Sequence, residues 1–368
     1  MSWTNRAKEA SIFLASTAAA FLILELSYRL VSGNDSKNDY SEVTMLFESG
    51  KNFQNHNGYF KYFPNRSIRS MTLYSKKQAR SVEDIVIEYD YRIKTNNIGL
   101  VMEGDLHPRE KVAFIIGDSF TEGQGATPWF YRLEDSDYRW PLRLVNLGIL
   151  GTGPMQWKKL ADSITEQLEL RVDASVINII PGDLNRPIWT FKDRELRCLY
   201  NVDCDYTFGF QGFHFHNEYG KEDVKLSVLN SLIKGSEEQA LFDRDYQIEI
   251  IKDYAKNSRV ILDIYRYFQS KFFYGQVVQK NEEALLSIRD SVKGKLFVNV
   301  ISEKNVNSTN FERNFFASLL IKFLEENEID YSWCDIPSNG FHKNDGHPNS
   351  TGYETLKRCT EDALDKVV

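Results

Sequence analysis

Cysteine is scarce: the 368-residue chain has four, too few for a disulfide-framework scaffold. None precedes Cys198, which leaves no acceptor for the lipid of an exported lipoprotein. Neither Cys198/Cys204 nor Cys334/Cys359 has a zinc-ligand spacing, so no structural metal is expected. Positive charge is in deficit, with 45 Lys+Arg against 52 Asp+Glu and a formal net charge of −7. Without a basic block, nucleic acid is not expected as a partner. No internal repeat or low-complexity tract is visible. With 42% hydrophobic and 26% charged residues, the composition excludes disorder, collagen-like repeats and a multi-span membrane protein. Aromatic residues, by contrast, are abundant at 13%. The length fits two domains or one α/β domain with insertions.

The N-terminus departs from this average. Arg6 and Lys8 precede the apolar run Ile12–Leu24, which is short of the roughly 20 residues that cross a bilayer. Extended to Ala10–Val31 the run is long enough but takes in Glu25 and Arg29. These can pair at i,i+4 and snorkel near one end. An uncleaved single-span anchor and a cleaved signal peptide compete, with a buried helix as a third reading. The anchor is preferred, because Phe21-Leu22-Ile23-Leu24 follows the Ala18-Ala19-Ala20 cleavage-like site. Arg6 and Lys8 then place the N-terminus in the cytoplasm and the body outside. An oxidising location suits a Cys198–Cys204 disulfide and a Cys334–Cys359 disulfide; four free buried thiols are the alternative.

Along the chain, residues 1–32 are expected to form the membrane segment and 33–83, polar and turn-rich, a stalk and lead-in. Residues 84–368 form the main domain. Ile85, Ile87, Tyr89, Tyr91 and Ile93 alternate as in a half-buried strand. Val112–Ile116 and Ala174–Ile180 read as buried strands, and Leu144–Leu147, Lys295–Ile301 and Ile329–Trp333 as further strands. Helical spacing covers Pro154–Leu170, about 245–273, Phe311–Glu326 and Ser350–Lys366. This alternation predicts an α/β fold, a three-layer α/β/α sandwich around a parallel sheet of about five strands. Residues 186–236 break the pattern. They are loop-rich and crowded with Trp189, Phe191, Tyr200, Tyr206, Phe208, Phe210, Phe213, Phe215 and Tyr219, as in a functional insertion.

Two short segments carry chemistry. Gly117-Asp118-Ser119-Phe120-Thr121-Glu122-Gly123 follows a buried strand directly, which puts Ser119 at the carboxyl edge of the sheet, where α/β proteins bind ligands. Far downstream stands Asn344-Asp345-Gly346-His347-Pro348-Asn349. An Asp two residues before a His can orient the imidazole, and that His can deprotonate a serine. Each segment alone also fits a structural role, as a helix cap or a solvated loop. Their co-occurrence in this order points to nucleophilic catalysis.

Gly-Asp-Ser after the first strand and Asp-x-His-Pro-Asn before the last helix resemble the SGNH (GDSL-like) hydrolases, from about Tyr91 to the end. Asn96-Asn97-Ile98-Gly99 and the anchor are similar to exported bacterial members. The resemblance implies Ser119 as nucleophile, His347 as base and Asp345 as its partner. It also implies an oxyanion hole built from the backbone N–H groups of Ser119 and Gly151. Many members carry the Asp three residues before the His, where this chain has Asn344. A second departure is Ile180-Pro181-Gly182-Asp183-Leu184-Asn185, in which Gly182 replaces the family's oxyanion Asn. Losing such a donor costs about 100- to 1000-fold in turnover. Asn185 can reach the hole from a shifted loop, backbone donors can suffice alone, or catalysis can be weak.

The resemblance implies a serine esterase that removes O-acyl, above all O-acetyl, groups from an envelope or exported polysaccharide, with no cofactor and no metal. Its partners would be the acylated glycan, the bacterial inner membrane through the N-terminal helix, and polysaccharide-biosynthesis proteins. A glycan O-acetyltransferase using the same serine, and a non-catalytic glycan-binding or assembly protein, are the alternatives. His214-Phe215-His216 could present two imidazoles to a metal but lacks a third ligand. The insertion's aromatics can stack on sugar rings or form its own small core. Asn65, Asn307 and Asn349 each begin an N-glycosylation triplet. A glycan two residues after His347 would block the site, which favours a bacterial protein.

Overall fold

The computed structural model describes residues 40–48, 52–56, 58–76, 78–135, 139–186, 214–215, 219–241, 274–302 and 310–368. The chain divides into two units. One comprises Met1–Asp39 and Ser236–Gly275 and lies outside the described residues except at the ends of two helices. The other, Tyr40–Gly235 and Gln276–Val368, carries the fold described below.

This body begins with β1 (Tyr40–Glu48), β2 (Phe53–His56), β3 (Tyr59–Tyr62), β4 (Ser67–Lys76) and β5 (Ile85–Lys94). Then come β6 (Lys111–Gly117), α1 (Ser119–Glu122), α2 (Phe130–Glu134), β7 (Arg143–Asn146), α3 (Pro154–Leu168) and β8 (Arg171–Ile179). After β9 (His214–Phe215) follow α4 (Lys221–Leu241), α5 (Tyr274–Ser291), β10 (Lys295–Ile301), α6 (Asn310–Glu326), β11 (Asp330–Cys334) and α7 (Ser350–Val367).

Five strands form a parallel sheet in the order β7-β6-β8-β10-β11. In β6 every residue from Val112 to Gly117 is buried, and β8 and β10 are buried along nearly their whole length. Consecutive buried residues point to opposite faces, so the three central strands are covered on both sides and are largely apolar. Helix α3 packs on β6, and α7 on β8, β10 and β11. Trp157, Leu160, Ala161 and Ile164 form the buried stripe of α3. The expected α/β sheet is therefore present, with strand and helix bounds within a few residues of those read from the sequence.

The second sheet was not expected. β5-β4-β1 run antiparallel, and β9 adds to β1 in parallel. Residues 40–76, read above as part of a stalk and lead-in, are thus strands of the main body. Their polar appearance misled because many of their polar side chains are buried by partners distant in the sequence. β4 buries polar Ser70, Thr72 and Ser75 together with Ile68, Met71 and Leu73. The insertion was likewise expected to be irregular to residue 236, yet α4 begins at Lys221. Val224, Val228, Leu229 and Leu232, at helical spacing, pack on Leu46, Met71, Leu73 and Ile85 of the second sheet. Of these, buried Val224, Val228 and Leu229 each contribute about 1.5–3 kcal/mol, and partly buried Leu232 less. A further helix, α5, occupies Tyr274–Ser291, beyond the stretch read as helical; residues 245–273 lie outside the described ones.

Cys334, ending β11, is bonded to Cys359 of α7, with 5.8 Å between their Cα atoms; Cys198 and Cys204 lie outside the described residues. No helix among the described residues is long and apolar enough to cross a membrane, and residues 1–32 are not among them.

Candidate active site

The site is assembled at the carboxyl edge of the parallel sheet. β6 ends at Gly117, and Asp118 caps the single turn α1 by accepting from the Phe120 N–H at 2.9 Å. Ser119 is therefore the first helical residue, directly beyond the strand. Asp118 is fully buried and paired at 3.1 Å with Arg186. Arg186 also binds Asp183 at 3.0 Å and donates to the Thr152 carbonyl at 3.0 Å. One guanidinium thus ties together the loops after β6, β7 and β8. Burying two carboxylates this way demands such a partner.

His347 comes from the loop before α7, whose N-terminus is capped by Asn349: its side-chain oxygen accepts from Thr351 N–H at 2.9 Å. The Asn349 amide also donates to the carbonyls of Asn339 and Phe341, so this glycosylation triplet has its acceptor engaged in the fold. His347 Nε2 lies 2.9 Å from Ser119 Oγ, and its Nδ1 lies 2.8 Å from Asp345 Oδ1. Asp345 Oδ1 also accepts the His347 backbone N–H at 3.2 Å, a local turn that only a short side chain two residues upstream can make. Asn344, where many SGNH hydrolases carry the acid, instead bonds Glu88 through both its backbone N–H (2.9 Å) and its amide (2.6 Å). Asp345, two residues before His347, is the carboxylate that reaches its Nδ1.

The electrostatics fix the protons. Burial opposes ionisation of Asp345, but His347 and the hydrogen bonds of His347 and Tyr89 overcome it and hold the carboxyl well below its usual range. Burial likewise opposes a charged imidazole, yet Asp345 outweighs it and raises the His347 pKa above 6.5. An ionised Asp345 only accepts, so His347 carries its hydrogen on Nδ1 and offers the Nε2 lone pair to the Ser119 hydroxyl. That is the arrangement of an activated nucleophile.

The turn after β7 is packed on α1. A Cβ on Gly148 would come within 2.3 Å of the Glu122 backbone nitrogen, so only glycine permits the approach. Gly148 N–H donates to Asn146 at 2.8 Å and Leu150 N–H to Glu122. Gly151 closes the turn at φ +69°. Glu122 is completely enclosed, accepts from Tyr62 at 2.8 Å, and is pushed up by burial to a pKa of about 8. Pro181–Asn185 forms a 3-10 turn. Side chains three apart eclipse in a 3-10 helix, so Asn185 shares the face of Gly182, where an added Cβ would meet nothing within 4 Å. The Asn185 side-chain oxygen is buried without a hydrogen-bond partner.

The reading from the sequence missed Glu88, Tyr89, Glu122, Gln124 and Arg186. Tyr89 and Glu88 signalled only a strand, and Arg186 only the start of the insertion. Among the described residues no group of three or more His, Cys, Asp or Glu is placed to hold a metal ion; the side chains of His214 and His216 lie outside them.

No protein-family model matches the chain, and no curated protein matches its sequence. Among solved structures it is similar to a variant of an acetyl xylan esterase from Geobacillus stearothermophilus, at 14% identity and TM-score 0.35, covering 70% of this chain and 96% of that one. It is also similar to a member of the lipolytic G-D-S-L family from Veillonella parvula, at 11% identity and TM-score 0.35, covering 70% and 99%. A third is a GDSL-like lipase from Bacteroides thetaiotaomicron, at 13% identity and TM-score 0.28, covering 70% and 88%. Ser119, His347 and Asp345 lie within hydrogen-bond reach of one another in that order. At these identities and TM-scores the geometry of the site, not the likeness, carries the function.

Proposed function

We propose that the protein is a serine esterase of the SGNH type that removes O-acyl, most simply O-acetyl, groups from an envelope or exported polysaccharide. The observation that carries this reading is the directed chain from the Ser119 hydroxyl through His347 to Asp345. Ser119 Oγ attacks the ester carbonyl carbon and its proton passes to His347 Nε2. The carbonyl oxygen becomes an oxyanion, received by the backbone N–H groups of Ser119 and Gly151 and by the Asn185 amide. Collapse breaks the bond to the sugar oxygen, which takes the proton from His347. Water, deprotonated by His347, then attacks the acyl-serine and releases the carboxylic acid. Neither metal nor redox chemistry enters this sequence.

The glycan is supported by the aromatic-rich insertion and by export. Export is supported by the N-terminal apolar segment and by the Cys334–Cys359 bond, which belongs to an oxidising compartment. The enzyme would be held at the bacterial inner membrane by residues 1–32 with its body outside, beside the machinery that makes the polysaccharide.

A chromogenic acetyl ester and a fluorophosphonate test the chemistry. Wild type should hydrolyse the ester and be labelled on Ser119, and Ser119→Ala should do neither. Failure of both reactions in wild type would leave the fold as a binding scaffold. Products from an acetylated glycan, with and without an acceptor sugar, separate hydrolysis from transfer; new acylated acceptor would convert the esterase into a transferase.

A further inference from the structure

The triad borrows a residue from the sheet that lies outside the parallel core. β4 and β5 pair residue for residue except at one place: Thr72 faces Tyr89 and Leu73 faces Ile87, leaving Glu88 as an extra residue. Such a bulge bends a strand and re-aims its side chains. Here it sends two consecutive residues to one loop. Glu88 receives the backbone N–H and amide of Asn344, and the Tyr89 hydroxyl lies 2.7 Å from Asp345 Oδ2. The direction of the phenol is fixed from behind. Gln124 donates its side-chain N–H to the Tyr89 oxygen at 2.7 Å, and an ionised carboxylate cannot donate, so the single phenolic hydrogen goes to Asp345. Tyr89 and Gln124 are both buried, and the Tyr89 ring packs against His342.

Resting on the esterase reading, we propose that Tyr89 is a positioning residue of the triad. Its phenol, delivered by the bulge at Glu88 and oriented by Gln124, holds the second oxygen of Asp345 so that the first faces His347 Nδ1. A carboxylate held through one oxygen can rotate about its Cβ–Cγ bond and lose that alignment; held through both, it cannot. The phenol also withdraws charge density from the carboxylate, which moderates its pull on the imidazolium.

The experiment compares full-length wild type with Tyr89→Phe, using Tyr91→Phe as a control. Tyr91 is buried on the same strand, its ring 5.9 Å from that of Tyr89, and its hydroxyl bonds Ser70 and Gly125 rather than Asp345, so Tyr91→Phe removes a buried hydroxyl that does not touch the triad. Tyr89→Phe should lower kcat on a chromogenic acetyl ester about tenfold with KM unchanged, the size of one hydrogen bond to a charged group. The acid limb of its pH profile should move to higher pH, because an Asp345 charge no longer shared with Tyr89 stabilises the imidazolium more. The other charged or titratable groups around the pair are Asp118 and Arg186 beside His347, the Tyr74 phenol, which also hydrogen-bonds Asp345, and Glu88, with Glu122 and His342 farther out; neither variant alters them. The same upward shift should appear in the nuclear magnetic resonance titration of His347, assigned by its loss in His347→Gln. Tyr91→Phe should leave limb and titration in place. A Tyr89→Phe enzyme within twofold of wild type, or a His347 titration that does not move or moves equally in Tyr91→Phe, overturns the assignment. The titration needs no turnover, so it judges Tyr89 even if wild type hydrolyses no ester, an outcome that would defeat the esterase reading instead.

Discussion

The two sheets of the body serve the same three residues in different ways. The parallel sheet delivers them: Ser119 follows β6, and His347 with Asp345 precedes α7, which lies on β8 and β10. The antiparallel sheet delivers no reacting atom, yet Glu88 and Tyr89 of β5 grip Asn344 and Asp345. Parallel strands end in loops at one edge, so nucleophile and base converge there as a consequence of topology. Alignment to a few tenths of an ångström is another matter. It needs buried hydrogen bonds from a rigid neighbour, and a bulged antiparallel strand supplies them.

This division can be broken first at the residues of the parallel sheet. Asp345→Asn should lower kcat by about 1000- to 10,000-fold, because an amide in this place can favour the wrong imidazole tautomer. Circular dichroism should show the fold intact; a loss below tenfold would mean that Asp345 does not orient His347. Next in size is Asn185→Ala, which should reduce kcat at least tenfold and up to about 100-fold if its amide receives the oxyanion. Adding Gly182→Asn to that variant should restore part of the rate, since the position is sterically open. An unchanged rate in Asn185→Ala would leave the hole to backbone donors.

The pH profile sharpens the comparison further. His347 must be neutral to act as a base, and its pKa is raised above 6.5, so kcat/KM should fall as pH drops through a value above 6.5. Glu122, beneath α1, gives a smaller effect on stability. Its folded pKa of about 8 lies above the ordinary 4.5, so the native state holds a proton that the unfolded chain has released. That contribution is complete below about 4.5 and is lost as pH rises through about 8. Urea unfolding should therefore show stability falling between pH 5 and 9 by an amount on the order of a few kcal/mol. Glu122→Gln, which keeps the shape without the titration, should flatten the slope. A slope equal to that of wild type would place the titrating group elsewhere.

The smallest expected effect concerns the loop rather than the chemistry. The Cys334–Cys359 bond spans 25 residues, and these include Asp345 and His347. Cys334→Ser with Cys359→Ser should cost about 3 kcal/mol of stability, read by denaturant unfolding. kcat should stay within twofold, since Asn349, Glu88 and Tyr89 still hold the loop. A large kcat loss in this variant would make the disulfide, not β5, the device that aligns the triad.

Much of this was legible in the chain alone. Val112–Ile116 ending at Gly117 announces a buried strand and a turn, because only a strand buried on both faces is apolar at every position. Ser119 and His347 each stood in a short segment that alone also fits a structural role, and it was their co-occurrence in this order that marked them as candidates. Residues 40–76 were not. Half-polar strands look like linker until the partner that buries their other face is known, and for β4 that partner includes α4, about 150 residues downstream. Tyr89 stood inside a correctly read strand with no sign of its task.

The amino-acid sequence by itself determined the alternation of strands and helices and marked Ser119 and His347 as candidates, since periodicity and turn chemistry are local. Tertiary structure alone decided between Asn344 and Asp345, brought Arg186 to Asp118, and turned Tyr89 toward the carboxylate. Those choices depend on which distant groups share a buried volume with a charge. A charge without water selects its partners by position in space, which spacing along the chain does not encode.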